Sequence, residues 1–547
     1  MDKEIYRIFE DIVGPENISA DPVILETYSF NWLTEFLPRS APSKFMEHRP
    51  LAVILPGSTD EVQKIVKVCN AYKIKFKALS TGYGSHSLPG QENVLVIDLK
   101  RMNRIVEIDE KNKFAVVEPY VAWAQLQAEV MKVGLFTTPV QAGSQASVLA
   151  NLTSGWGMNT FGNHGGHNGR NVLGVEWVLP TGEILKLGPP SEWFTGDGPG
   201  PSLRGIMRGY CGAQGGLGIF TKVGIKLHNW PGPPVLETEP TGLISTYSIK
   251  NLPKFIEVLS PSFDTYEDLA NFLYRVGEEE IAYSLVRVGS VEHMMTLAGS
   301  ISNKEIFEQF FESGFVQAAK ELIKHPCVMV IFGNTEREFN FKRKVAYEIV
   351  EECGGKILPV FEEGILKKFA KEELLVALFG NDTHFIHHAG GFVISAGYMG
   401  TADAVIRHMG YPQERLKKKY IERGKILADG EDSTYHNSFE NNAYIYMEME
   451  FHYDAADPLS VEDSREAIRE ERETHAEEKL GFEPNDIALC VGDSKMHPAQ
   501  RIIEIGKRYG NFHIWQEKIK NAFDPDDLSD RSNYGGGIYI KNKKEEK

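Results

Sequence analysis

The chain has 547 residues and a formal charge of −17, from 76 acidic against 59 basic side chains. That balance repels polyanions, which excludes nucleic acid or an anionic membrane surface as the main partner unless a local basic patch intervenes. Apolar residues at 42% and aromatics at 11% can fill sizeable cores, so wholesale disorder is excluded and the length predicts two or three domains. Five cysteines, Cys69, Cys211, Cys327, Cys353 and Cys490, lie far apart. Such scatter fits buried thiols in a reducing compartment and no local iron–sulfur or zinc ligand set. No stretch reaches the ~18 uninterrupted apolar residues of a membrane span, and the first residues lack the apolar run of a signal peptide. The expected location is cytoplasmic.

Residues 1–50 read as a lead-in packed on the first domain. Ile5, Ile8, Phe9 and Ile12 form a helical stripe, followed by a proline-punctuated segment from Pro38 to Pro50. Leu51–Leu55 has the length and composition of a buried strand. A helix then starts near Thr59, a plausible cap, with Val62, Ile65, Val66 and Cys69 along one face. Two further strands, Ile74–Leu79 and Val94–Leu99, flank the stretch Ser80–Gly90, which predicts a tight loop joining them. Three glycines and four small hydroxyl residues in these eleven positions expose backbone N–H groups and admit close approach of a ligand, as a diphosphate cradle requires. A plain polar turn has the same composition.

Two strands flank the turn Glu110–Lys113, and Trp123–Val133 reads as a helix ended by Gly134. A second small-residue segment runs from Ala142 through Asn151 to Gly155–His164 and Gly165–Gly174. It leads into a strand at Val175–Leu179 and the hairpin turn Pro180–Glu183. A third follows at Gly212–Thr221. A doubly wound dinucleotide fold would place its glycine loop between the first strand and a helix. Here the loop leaves a later strand and enters another strand, so that reading loses. Composition changes at Trp230–Pro234, and a boundary is placed there. From about 240 to 490, amphipathic helices such as Asn251–Leu259 and Glu305–His325 alternate with strands such as Cys327–Phe332 and Tyr444–Phe451, which predicts a sheet with helices on one side. The mixed-charge helix Glu462–Glu478 reads as a solvated face, and Lys541–Lys547 as a charged, disordered tail.

Taken in order, Pro56–Val62, the loop at 80–90, Met102-Asn103-Arg104 with Val117-Glu118-Pro119, the long glycine-rich segment and the closing Gly218-Ile219-Phe220-Thr221 resemble the FAD-binding domain of the vanillyl-alcohol oxidase and p-cresol methylhydroxylase family, to which glycolate and D-lactate dehydrogenases also belong. The likeness covers residues 50–230, and the stretch Trp515–Asp527 resembles the ending by which relatives return to the flavin domain. It implies an α+β fold: a two-subdomain FAD-binding domain of the p-cresol methylhydroxylase (PCMH) type at 51–232, a substrate or cap domain of antiparallel sheet covered by helices at 233–498, and a C-terminal segment at 499–547. The resemblance further implies FAD held by Ser80, Thr81, Gly82, Tyr83, Gly84, Ser85, His86 and Ser87 of the first loop. From the second come Pro139, Gly143, Ser144, Ser154, Gly155, Gly157, Met158, Phe161 and Gly162, and from the third Gly218 and Ile219.

A flavin supplies the redox chemistry, so the protein must place a C–H bond and manage one proton. Gly84-Ser85-His86-Ser87 resembles the site where berberine-bridge-type members attach FAD to a histidine, whereas Gly82-Tyr83-Gly84 resembles the vanillyl-alcohol oxidase loop that tethers the flavin elsewhere or not at all. Both arrangements stay open for His86, as does a loop histidine bonding a carbonyl. Asn163 stands where the resemblance implies an aspartate beside the flavin and cannot act as a base, so His164 or His167 takes that place; side chains that bond their own backbone are the alternative. Ser494-Lys495 stands where phenol-oxidising relatives carry a Tyr-Arg pair, so phenolate recognition is weakened, and Lys495 with His497 could instead bind a carboxylate.

In an extended segment His384 and His388 share a face while His387 points away. The strand resembles the one crossing the relatives' substrate cavity, which makes His388 a cavity-lining residue ahead of a metal ligand, and no metal is assigned. His436 and His452 are explained equally well as core histidines. The leading reading is an FAD-dependent oxidoreductase that removes hydride from an alcohol or 2-hydroxy acid carbon, the proton going to a histidine; catalytic candidates are His164, His388, Lys495 and His497. A 4-alkylphenol oxidase or methylhydroxylase and a flavoprotein subunit of an electron-transfer complex are the alternatives. A small-molecule substrate, an electron-acceptor protein or quinone and a homodimer are the expected partners.

Overall fold

In a computed structural model of the chain, the described residues are 1–29, 49–82, 89, 91–140, 143–153, 159–188, 203–207, 216–240, 247–287, 306, 309–310, 312–357, 393–406, 410–427, 434–454, 456–478, 506–507 and 510–530. The first sheet has the order β1-β2-β4-β3, from β1 (Ile18–Ser19), β2 (Ala52–Ile54), β3 (Lys75–Leu79) and β4 (Val94–Asp98). Strands β2 and β3 both run parallel to β4, and β1 pairs antiparallel at the edge. The helices Lys3–Val13 and Thr59–Tyr72 cover it, burying Phe9, Val62, Ile65, Val66 and Cys69 against Ile54, Phe76 and Ile97. The residue capping the second helix is Ser58, whose hydroxyl accepts from Glu61 N–H, not Thr59; Thr59 is the first helical residue and donates to Glu176 at 2.6 Å. The connection from β3 to β4 is likewise no tight hairpin. The two strands lie side by side in parallel, an arrangement that a two-residue hairpin cannot make.

The second sheet, order β5-β6-β10-β8-β9, is antiparallel throughout: β5 (Ile105–Asp109), β6 (Phe114–Val117), β8 (Val172–Val178), β9 (Ile184–Leu187) and β10 (Ile219–Lys226). A small pair, β7 (Leu135–Phe136) with β11 (His228–Asn229), lies beside it. The helix Trp123–Met131 packs Trp123, Leu126 and Val130 onto Val175, Trp177 and Val223. The helix Thr59–Tyr72 clips the two sheets together: Gln63 and Asn70 donate to the carbonyls of Gly182 and Pro180 in the β8–β9 turn.

After the two short pairs β12 (Thr238–Pro240) with β13 (Tyr247–Ile249) and β15 (Pro261–Ser262) with β18 (Lys356–Ile357), the remaining strands build one six-stranded antiparallel sheet, β14-β17-β16-β20-β21-β19. These are β14 (Ile256–Leu259), β16 (Ser284–Arg287), β17 (Val328–Phe332), β19 (Val393–Gly400), β20 (Thr434–Phe439) and β21 (Tyr444–His452). The helix expected at Asn251–Leu259 is therefore a strand, paired Ile256 to Phe332 and Leu259 to Met329. Helices Tyr266–Glu279, Glu336–Glu352, Tyr411–Glu422 and Pro458–Glu478 lie on one face, where Leu285, Met329, Ile331, Met447, Met449 and Phe451 point. The last of these helices is not wholly solvated, since Ser464, Ala467, Ile468 and Glu471 are buried.

Residues 520–530 return to the first two sheets. Phe76 N–H donates to Leu528 O at 2.9 Å and Asp530 N–H donates to Phe76 O at 2.7 Å. The buried Lys520 ammonium pairs with Asp524 and donates to the carbonyls of Gly216 and Ser529. Cys69 and Cys327 are free and buried, and burial pushes both thiols up. Cys211 and Cys490 lie outside the described residues. No described helix is long and apolar enough to cross a membrane.

Candidate functional site: the face between the two halves of the chain

The small-residue segments meet at the end of the first sheet. Thr81, directly after β3, accepts at 3.0 Å from the N–H of Ser147, which begins the turn into the helix Val148–Thr153. Ser147 in turn donates to Pro119 O and accepts from Ala150 N–H. Ser144 O and Ala146 O accept from Ala124 and Trp123, which fixes residues 143–147 on the second sheet's helix. Pro139 O accepts from Thr160 N–H, drawing the approach to this segment beside its exit. Asn168 donates to Thr138 O and to Asn151 Oδ1, and Asn151 N–H donates to Ser147 O, so residues near 81, 119, 139, 144–147 and 160 form one hydrogen-bonded region. Gly82 has φ +69°, the left-handed conformation for which a glycine is suited. Tyr83, Gly84, Ser85, His86, Ser87, Ser154, Gly155, Gly157 and Met158 lie outside the described residues.

The third segment has a different reason for its glycine. A Cβ on Gly218, at φ +88°, would stand 2.3 Å from Val178 O, and its N–H donates to Ser529 Oγ at 2.9 Å. Ile219 is buried in the core between the two sheets. Close protein packing accounts for both positions.

Across from the loops stands the cap sheet's second face. Since 447, 449 and 451 point at the helices, alternation turns Tyr446 and Glu448 the other way. Asn437 is the cross-strand partner of Tyr446, and Tyr435 that of Glu448. Asn437 Nδ2 donates to Asn159 O, which ties this face to the exit of the glycine-rich segment. Tyr446 is buried, Tyr435 and Glu448 are half-buried, and the Tyr446 hydroxyl donates to Glu448 Oε1 at 2.6 Å. The two tyrosine rings stand 6.4 Å apart. None of these four residues was singled out for chemistry in the sequence. The available signal was the alternation Tyr446-Met447-Glu448-Met449, polar against apolar within a strand of a sheet already covered on one side.

Among the expected catalytic residues, His164 stacks on Tyr283 with ring centroids 4.2 Å apart and lies 5.4 Å from the ring of His228. Although part of His164 meets solvent, desolvation by the residues packed around it, then the charges of Lys342 and Lys226, lower its pKa to about 4 against an opposing pull from Glu338. His228 is lowered further, to about 3, by burial and by His164, and its Nε2 is buried without a hydrogen-bond partner. Asn163 Nδ2 donates to Ala282 O and Asn163 O accepts from Asn441, so it fastens the cap. His167 Nδ1 accepts from Gly169 N–H, capping a short turn. His436 points to the helix side beside Arg287, and burial with that charge holds it well below the ordinary histidine value. His388, Lys495 and His497 lie outside the described residues, as do His384 and His387. Among the described residues no three His, Cys, Asp or Glu side chains converge as a metal site.

Does this region fit a flavin nucleotide? Two observations say that it does. The small hydroxyl residues Thr81, Ser144 and Ser147 gather there beside Gly82, and Asn437 Oδ1 is buried without a partner where the cap meets Asn159. An orphaned acceptor there is matched by a polar ligand group. Comparison with known proteins agrees: residues 50–188 match the FAD binding domain. Residues 50–188 therefore belong to an FAD binding domain.

Two curated relatives and one solved structure illustrate the likeness. The 4-cresol dehydrogenase [hydroxylating] flavoprotein subunit of Pseudomonas putida is 30% identical over 249 residues, 42% of this chain and 43% of that protein. Glycolate oxidase subunit GlcD of Bacillus subtilis is 29% identical over 235 residues, 41% and 45%. This chain's matches thus span a little under half the length of either relative. The crystal structure of p-cresol methylhydroxylase superposes with a TM-score of 0.72 at 18% identity, covering 97% of this chain and 96% of that one, so the α+β fold is shared from end to end.

Proposed function

We propose that this chain is an FAD-dependent oxidoreductase that removes hydride from the carbon of an alcohol or 2-hydroxy acid. The observation that carries the reading is the meeting of Thr81 with Ser147 and of Asn159 with Asn437, which sets loops of the FAD binding domain against the inner face of the cap sheet. Bound FAD would supply the two-electron acceptor, at N5 of its ring system. Thr81, Gly82, Gly143 and Ser144 would hold its phosphates, with Tyr83–Ser87 and Ser154–Met158 as proposed additions. The chain's own task is to orient the substrate, exclude water and take one proton. Of the proposed proton acceptors and anion-binding groups, His164 is neutral near pH 7, and His388, Lys495 and His497 extend the candidate set.

The relatives named for glycolate and for 4-cresol oxidation support a C–H bond next to oxygen, or para to it, as the reacting centre. A homodimer and a cytoplasmic location belong to the same proposal, with FAD held without a covalent bond and a tether at His86 as the alternative. The test is the absorption spectrum of the purified protein, then anaerobic mixing with alcohols, D-2-hydroxy acids and 4-alkylphenols. We expect a flavin spectrum that bleaches with an alcohol or hydroxy acid. A colourless protein, or a flavin that no class reduces, overturns the reading. Yellow colour that leaves with acid-soluble material rules out the tether.

A further inference from the structure

Resting on the reading of FAD as the bound cofactor, we propose that Asp530 is a positioning residue for the cofactor loop, and that residues 520–530 form a clasp whose docking and FAD binding reinforce each other. The loop Ser80–Gly90 has two flanks, and one buried carboxylate reaches both. Ahead of the loop, Asp530 Oδ2 stands 3.9 Å from the ammonium of Lys77, three residues before Ser80. Beyond it, Asp530 Oδ1 accepts from Gln91 Nε2 at 2.9 Å. The side chains of Lys77 and Asp530 are 6% and 0% exposed. Burial lowers the pKa of Lys77, and the Asp530 charge opposes that fall. Removing the carboxylate would strand a buried cation at the end of β3, which is costly.

A second set of contacts aims Asp530 and extends to the third glycine segment. Its N–H donates to Phe76 O while Phe76 N–H donates to Leu528 O, so residues 528–530 run beside β3 as a parallel neighbour. Asp524 accepts from the N–H groups of Leu528 and Ser529, at 3.0 and 2.8 Å, and folds the segment into a turn. Lys520, in the helix Phe512–Phe523, pairs with Asp524 and donates to Gly216 O and Ser529 O. A Cβ on Gly216 would stand 2.6 Å from Ser529 O, and Gly218 N–H donates to Ser529 Oγ, so these glycines make room for the clasp. Residues 520–530 therefore hold both flanks of the first small-residue segment and the start of the third. A loop that binds phosphate through its amides works only when those amides are fixed. Bound FAD would fix them from one side and the clasp from the other. Two restraints on one element lower each other's ordering cost, and the coupling is reciprocal.

The experiment uses the protein as purified with its flavin and reads flavin content per chain and the rate at which free-flavin fluorescence appears on dilution. Asp530→Asn removes the charge that faces Lys77, and Gln91→Ala removes only the contact beyond the loop. Asp530→Asn should lower flavin content and speed release about tenfold or more, and Gln91→Ala should speed release about fivefold. Asp526→Asn breaks an exposed pair with Lys73 on the same segment and should leave release within about twofold. Hydrogen exchange supplies the reverse arm: chains that carry flavin should exchange the amides of Phe76, Gly218 and Asp530 about tenfold more slowly than chains that lack it, with β17 unchanged. Where Asp530→Asn does not fold, Gln91→Ala and the exchange comparison decide, and for a tethered flavin the content per chain replaces the release rate. A clasp that is merely structural lowers the melting temperature with and without flavin alike and moves neither flavin retention nor exchange, a result that overturns the proposal. A wild type without flavin overturns the FAD reading itself, and its spectrum alone identifies that case.

Discussion

The two halves of the cap sheet's inner face meet the first domain by different means. On β14, β17 and β16 the inward residues Ile256, Val330 and Phe332, with Tyr283 just before β16, close on Phe136, Phe161 and Trp230 of the other domain in one aromatic cluster. Phe332 stands edge-on to both Phe136 and Trp230, at 6.2 and 5.6 Å between centroids. On β20 and β21 the inward residues are Tyr435, Asn437, Phe439, Tyr444, Tyr446 and Glu448: the Phe439 ring lies against Gly162, the Arg170 guanidinium stands 5.9 Å from the Tyr444 ring centroid, and Asn437 donates to Asn159 O. The same antiparallel sheet thus meets the first domain through an aromatic cluster along one half and through mixed polar and aromatic contacts along the other. Burial supplies the free energy on the first half, so the second need not be apolar.

That contrast can be broken by mutation. Truncating the closed half should cost most: Phe332→Ala is expected to lose about 3–5 kcal/mol, measured by denaturant unfolding, because it empties a fully buried site ringed by aromatics. A loss below about 1 kcal/mol would show that the cluster does not hold the halves together.

Acid should act on the same half next. His228 is held neutral in the folded chain, with its pKa depressed to about 3, whereas the unfolded chain binds the proton near 6.5. The unfolded state therefore binds more protons between those values, and stability falls as pH drops from about 6.5 toward 3, by up to ~1.4 kcal/mol per pH unit. Thermal melts across pH 7 to 4.5 should show the wild type losing stability faster than His228→Leu as the pH falls. Parallel curves would remove His228 from the account.

A smaller effect is expected on the mixed half, where Asn437→Ala deletes one buried hydrogen bond to Asn159 and should cost about 1–2 kcal/mol. Limited proteolysis then reports whether residues near 159 open first. Smallest is the rim: Arg170 and Glu440 form an ion pair at 2.5 Å across the same junction, with the arginine largely in water. Glu440→Gln should change stability by less than about 1 kcal/mol and lose even that in high salt.

Much of the first domain could be read from the chain because its signals are local. The stripe Val62, Ile65, Val66 and Cys69 and the hydroxyl and glycine content after β3 each act within a few residues, and the structure joins Thr81 to Ser147 as expected of converging loops. Leu252, Phe255, Ile256 and Leu259 also recur at helical spacing, yet β14 forms there. Pairing with β17 sends Ile256 and Val258 to one core and Leu259 to another, an arrangement set by a strand some seventy residues later. The Ser58 cap was hidden by its neighbour, since either hydroxyl residue satisfies the local pattern. Tyr446 and Glu448 escaped notice for a related reason. Strand alternation states that two faces differ, but only the partner domain's position says which of them meets it.

The return of residues 520–530 to β3 sets a schedule for the growing polypeptide. Phe76 hydrogen-bonds to Leu528 and Asp530, and Gly216 and Gly218 are held by Lys520 and Ser529. On the order of a minute of synthesis separates the two ends of these contacts at ordinary ribosome speeds. The nucleotide-holding half begins first and finishes last, and during that interval its parallel sheet has an open flank for a chaperone, or for another nascent chain, to occupy.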